Sequence, residues 1–135
     1  MADVFTREKR SAIMSRIRAK NTGIEKAAFA FLRREGIYFQ KHYSRAPGKP
    51  DIAIPSRKIA VFINGDFWHG YRFEKWRNRI PKKYWREKIE SNIARDLRNY
   101  RALKKDGWRM LRLWGHEVIE NPDRAFSKLA RFLRP

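Results

Sequence analysis

The stretch Lys58-Ile-Ala-Val-Phe-Ile63 runs five apolar residues in succession after a single lysine. It is too short for a helix of its own, and a strand apolar on both faces must be covered on both faces, which places it centrally in a sheet. Just ahead of it, Asp51-Ile-Ala-Ile54 reads as a second short strand, with Pro55-Ser56-Arg57 as the turn between them. The pair predicts a hairpin. Ile37 to His42 is a further candidate strand, and Ser44 to Lys49 a loop by its Pro and Gly content.

Helices are marked by their period and by their ends. Thr22 followed by Glu25 is a capping-box pattern that opens a helix through Ala27, Ala28, Phe29, Phe31 and Leu32, with Gly36 to close it. Lys83 to Lys105 is the clearest helix, because Trp85, Ile89, Ile93, Leu97 and Tyr100 recur at helical spacing and Gly107 follows. Trp108 to Leu113 then reads as a strand. After Asn121-Pro122 a last helix presents Ala125, Phe126, Leu129 and Phe132. An aromatic and basic loop, Phe67 to Pro81, precedes the long helix. The order α-β-β-β-α-β-α predicts an α/β fold with a mixed central sheet flanked by helices, in one domain over residues 1–135. Residues 6–20 are basic, with Ile13, Met14 and Ile17 on one side of a possible helix at a mobile start.

The formal net charge is +19, from 33 Lys and Arg against 14 Asp and Glu. Such an excess repels itself in a compact state and points to a polyanionic partner. With 42 % hydrophobic residues, the chain is no disordered basic tail. A membrane surface would call for a basic amphipathic helix or a lipidation signal. Ala125 to Pro135 is basic and amphipathic but short, no apolar run approaches transmembrane length, and Met1-Ala2-Asp3-Val4 lacks the apolar stretch of a signal peptide. Nucleic acid is therefore the expected partner. The absence of cysteine excludes disulfides and thiolate-bound zinc.

Chemistry enters with Pro50-Asp51, an acid at the start of one strand with a second strand behind it. A phosphodiesterase using Mg²⁺ needs a carboxylate fixed on a rigid element and further oxygen ligands from a neighbouring strand. Restriction-type nucleases add an acid and a lysine on that next strand, whereas here it reads Val61-Phe62-Ile63-Asn64. An isolated Pro-Asp is as readily an Asp that caps a turn. Phe67-Trp68-His69 strengthens the pattern: an imidazole close to Asp51 can take a proton from water near neutral pH. Taken singly, His69 is equally a structural histidine, and Phe67 and Trp68 are equally core or base-stacking residues. Lys88, Asn92 and Asp96 recur every four residues and so share one face of the long helix. On its own that face reads as solvated.

Together these residues resemble the Vsr mismatch endonucleases. The resemblance runs through Thr6-Arg-Glu-Lys-Arg-Ser11, Met14, Ile17, Lys20, Thr22 and Glu25, and through Pro47-Gly48-Lys49-Pro50-Asp51. It continues with Gly65, Phe67-Trp68-His69, Trp85 to Lys88, Asn92, Arg95-Asp96 and Gly107-Trp108-Arg109, covering residues 6–114 at similar spacing. It implies a restriction-endonuclease-like sheet and a fixed set of roles. Asp51 would bind Mg²⁺ together with the backbone carbonyl of Ile63. His69 would be the general base, Asp96 its hydrogen-bonding support, and Glu25 would lie near the metal and its waters, where the capping-box reading is an equal alternative that does not exclude it. Phe67 and Trp68 would enter the base stack from one groove and Met14, on an N-terminal helix ordered by DNA, from the other. Lys88 and Asn92 would contact DNA. Mispaired steps unstack at lower cost, so deformation itself becomes selectivity.

Family members commonly carry a structural zinc. Its matching positions here are Asp66, Tyr71, Phe73 and His116, and that set is too poor in ligands for a closed tetrahedral site. A zinc-free variant is expected, with packing among Tyr71, Phe73, Trp76 and Trp114 in its place. Asn64 stands where the family usually has His. The resemblance implies a monomeric, cytoplasmic bacterial enzyme, associated with the nucleoid, that nicks 5′ of a mispaired base, T in T·G. The alternatives are a nuclease of the same fold with another mismatch or site specificity, and a non-catalytic DNA-binding protein.

Overall fold

The computed structural model describes residues 23–80 and 82–135. Thr22, Met14 and the helix expected near the start of the chain lie outside the described residues. Helix α1 covers residues 23–34. It stops as predicted at Gly36, which takes a left-handed φ of 67°, while the Ile37 amide donates to the Leu32 carbonyl at 3.0 Å.

Four strands form one sheet in the order β1-β2-β3-β4: β1 is Gln40–Lys41, β2 Ile52–Ile54, β3 Ile59–Asn64 and β4 Arg109–Trp114. The first two pairings are antiparallel and the β3–β4 pairing is parallel, so the sheet is mixed. The predicted hairpin turns through a 3-10 element, Pro55–Arg57, and through Lys58 in the left-handed region. Strand β1 is shorter than the expected Ile37 to His42. The Ile37 amide is engaged in the helix cap, and His42 has a φ of 47°, which ends the extended run. Strand β4 starts one residue late because the Trp108 amide donates to Leu103.

A parallel neighbour requires a crossover, and the long helix α3, Lys83–Lys105, supplies it. Helix α2, Phe73–Trp76, and a 3-10 turn, Arg77–Arg79, break up the segment expected to be a loop. Helix α4, Gly115–Glu120, also emerges only in the structure, whereas α5, Pro122–Leu133, falls where Asn121-Pro122 placed it. Segments of four to six residues carry too little periodic signal to be read from sequence. No helix among the described residues is long and apolar enough to cross a membrane.

Alternation along β3 explains the layers. Ile59, Val61 and Ile63 pack with Ile52, Ile54 and Leu113 against Ala28 and Leu32 of α1 and Leu129 and Leu133 of α5. Ala60 and Phe62 face the other way, onto Leu103 of α3. Both faces are covered, as an all-apolar strand demands, and each fully buried aliphatic side chain contributes about 1.5–3 kcal/mol. The result is a mixed sheet flanked by helices, as expected. The start of β2 and the end of β3 lie side by side, so Asp51 and the residues after Asn64 meet at one edge of the molecule.

Candidate active site

Two clusters of titratable groups open into one cavity of about 630 Å³ at that edge, whose walls include Glu25, Asp51, Ile63, His69 and Asp96. The expected catalytic residues therefore converge.

The first cluster surrounds Asp51. The preceding Pro50 is buried, and the Ile63 amide donates to Asp51 Oδ2 at 2.7 Å, which fixes the carboxylate against β3. Glu25, from the first turn of α1, hydrogen-bonds the Asp51 carboxyl. Burial pushes that carboxyl up to about 8, the Glu25 hydrogen bond and charge push the same way, and the Ile63 amide opposes them. A residue not anticipated from sequence completes the group. His42 Nε2 lies 3.5 Å from Glu25 Oε2 and 4.0 Å from Asp51 Oδ1. Ligand atoms of Glu25, His42 and Asp51 all fall within 4.8 Å of one another, and among the described residues this is the group able to hold a metal ion. The donor set fits a divalent cation: two carboxylates that repel each other while ionised are stabilised together by a dication between them. Nothing in the sequence marks His42: it lies one step beyond the β1–β2 pairs Gln40–Ala53 and Lys41–Ile52, and its amide donates to the Asp51 carbonyl at 3.0 Å.

The second cluster surrounds His69. Its Nδ1 lies 2.7 Å from Oδ2 of Asp96, a buried acid on α3. With Asp96 as the acceptor, Nδ1 is the ring's donor toward it, and Nε2 is the nitrogen left for the chemistry of the cavity. Gly70 permits this approach. It has a φ of 68°, and a Cβ there would collide with the Cδ1 of Ile93 on α3. Behind Asp96, the Arg112 guanidinium is sandwiched between the rings of Tyr100 and Trp114, at 4.7 and 4.5 Å, with Nη2 4.0 Å from the acid. With its amide oxygen turned toward Arg112, the buried Asn64 accepts from Nε at 3.1 Å, from Nη2 at 3.2 Å and from the Tyr100 hydroxyl at 3.0 Å. Asn64 thus ties β3 to β4 and α3 beneath the site. Arg112 and Tyr100 carried no signal in sequence, because a strand arginine and a helix tyrosine read as surface and core.

The remaining expected residues surround this centre unevenly. Phe67 and Trp68 are half-buried in an aromatic cluster in which Phe67 stacks on Trp76 at 5.7 Å and Trp68 tilts against Trp85 at 5.7 Å. Asn92 donates to the Trp68 carbonyl at 3.0 Å, so it holds the aromatic turn in place. Lys88 is exposed on α3 and takes no part in the cavity wall.

At the positions expected to match the family's zinc ligands, His116 Nδ1 lies 2.8 Å from Asp66 Oδ2, and the His116 amide donates to Oδ1 of the same acid. Tyr71 packs on Trp114 at 4.9 Å and on His116 at 4.4 Å, while Phe73 meets Trp76 at 5.0 Å. The expected aromatic packing is present as two pairs, joined by a bond from Trp76 Nε1 to the Tyr71 carbonyl at 2.8 Å. The Asp66–His116 pair adds to it.

Comparison with known proteins gives concordant results. The family model described as DNA mismatch endonuclease Vsr matches residues 2–75. A Type II nicking enzyme, V.XorIIP of Xanthomonas oryzae pv. oryzae, is 40 % identical over 123 residues, covering 89 % of each chain. V.NmeAIP of Neisseria meningitidis, also a Type II nicking enzyme, is 37 % identical over 99 % of this chain and 96 % of its own. The DNA mismatch endonuclease Vsr of Escherichia coli is 35 % identical over 84 % of this chain and 74 % of its own.

Proposed function

The chain belongs to the Vsr family of DNA endonucleases, and on that footing we propose that its 135 residues act as one monomeric domain that nicks one strand of mismatched duplex DNA with the help of Mg²⁺. The observation that carries the reading is the shared cavity of Asp51 and His69, with the His69 ring held by Asp96.

Asp51 and the Ile63 carbonyl would hold the cation, with Glu25 beside them. When bound, a divalent cation polarises the scissile phosphate and eases the ionisation of a nearby water. His69 accepts the water proton at Nε2, which the Nδ1 contact to Asp96 leaves free as an acceptor. Asp96 then stabilises the imidazolium, and Arg112 keeps the acid in place. Phe67 and Trp68 wedge the base stack, with Met14 entering from the opposite groove, while Asn92 supports the aromatic turn and Lys88 meets the phosphate backbone. The preferred cut is 5′ of the mispaired base, T in T·G.

A second reading has a specific support. Several relatives are named as Type II nicking enzymes, which favours a fixed sequence context around the cut. Nicking of one duplex series tests both readings, with T·G, the other mispairs and fully paired DNA placed in varied flanks. Mismatch-directed cleavage gives strong nicking of T·G and little of paired DNA; equal nicking of both at one sequence favours the second reading. Phe67→Ala and Trp68→Ala are expected to lower the ratio of mismatched to paired nicking about tenfold or more, in line with a stacking contribution of about 1–3 kcal/mol per base. Equal losses on both substrates would exclude a wedge.

A further inference from the structure

We propose that His42 is a direct nitrogen ligand of the cation held by Asp51, and that it shifts the site's preference from Mg²⁺ toward divalent transition ions, Mn²⁺ among them. The inference rests on the reading that Asp51 binds a divalent cation.

Three features position the imidazole. The backbone of His42 takes a φ of 47° at the end of β1, a conformation uncommon for a side chain other than glycine. Its amide is pinned to the Asp51 carbonyl at 3.0 Å. Its ring meets Phe29 of α1 edge-on, with centroids 5.8 Å apart and planes at 78°. So held, Nε2 faces both carboxylates, at 3.5 and 4.0 Å. Two atoms that each lie about 2.1 Å from one ion are about 3–4 Å apart at ordinary coordination angles. His42 Nε2 thus stands at ligand spacing from both carboxylates.

The chemical consequence follows from ligand type. Mg²⁺ demands oxygen donors in near-ideal octahedral geometry and dehydrates reluctantly. An imidazole contributes little to it but binds transition ions well. A site that adds one imidazole to its oxygen donors therefore gains more with Mn²⁺ than a purely oxygen site does. His69 lines the cavity beside Asp51, and with Nδ1 engaged by Asp96 it serves as the control.

The test is pulsed electron paramagnetic resonance of Mn²⁺ bound to the full chain, read for coupling to a directly bound ¹⁴N. Coupling is expected in the wild type and in His69→Ala, and its loss in His42→Gln. In parallel, His42→Gln is expected to weaken Mn²⁺ binding on the order of tenfold while Mg²⁺ binding, measured by competition, changes far less. Bound Mn²⁺ without ¹⁴N coupling in the wild type, or coupling that survives His42→Gln, overturns the role of His42 and leaves the Asp51 site standing. An equal loss for both ions would also overturn the selectivity. If Mn²⁺ binding is indifferent to Asp51→Ala, the underlying reading fails as well.

Discussion

A carboxyl group buried beside a second one keeps its proton, and Asp51 does so up to about 8 against an ordinary value of 3.8. The raised folded value has a definite sign in metal-free protein. The stability contributed by Asp51 is fully present below its unfolded value and is lost as pH rises through about 8. Asp51→Asn removes this dependence. The variant is expected to resist urea increasingly better than the wild type from about pH 4 to about pH 8, and then to hold a constant margin. A margin that does not grow with pH would refute the picture of a carboxylate poised to exchange a proton for a cation. Asp51, His69 and Asp96 could be picked out from sequence only together, through the resemblance, because each alone reads equally well as a turn cap, a structural histidine or part of a solvated helix face. His42 and Arg112 could not. Their contacts depend on the β1–β2 register and on the crossover that sets β4 beside β3, and neither is a local property of the chain.

The elements most easily read were those with long periodic or unbroken apolar signals. Lys83–Lys105 matches its expected bounds, and β3 takes the centre that its run of apolar residues required. The short helices α2 and α4 escaped notice, and α4 bears on stability. It carries His116 to Asp66, joining the end of β4 to the loop that presents the aromatic turn and His69. This junction stands at the positions that the resemblance matches to the family's zinc ligands. Asp66→Ala removes the acceptor from both the His116 ring and its amide, and is expected to cost about 1–2 kcal/mol, seen as a lower urea midpoint. Adding a zinc chelator is expected to leave the wild-type midpoint where it is. A chelator-induced fall would show that a metal holds this junction after all.

Taken as a whole, the molecule couples a net charge of +19 to a cavity whose own walls carry acids. On the proposed reading, the excess cations would neutralise phosphates along the duplex, and the acids would hold the ion that meets a single phosphate. Binding to DNA is thus expected to weaken at least about a hundredfold between about 50 and about 200 mM salt, as neutralising about four or more phosphates requires. A flat salt response would contradict a phosphate-tracking surface. The central claim is that the Asp51 cavity performs the cut, with His69 as its base. Single-turnover nicking of a T·G duplex, measured beside DNA affinity in wild type, Asp51→Ala and His69→Ala, tests it most directly. The account predicts that each substitution slows nicking by about 10²–10⁴ or more while affinity is retained. Nicking at the wild-type rate by either variant would contradict it.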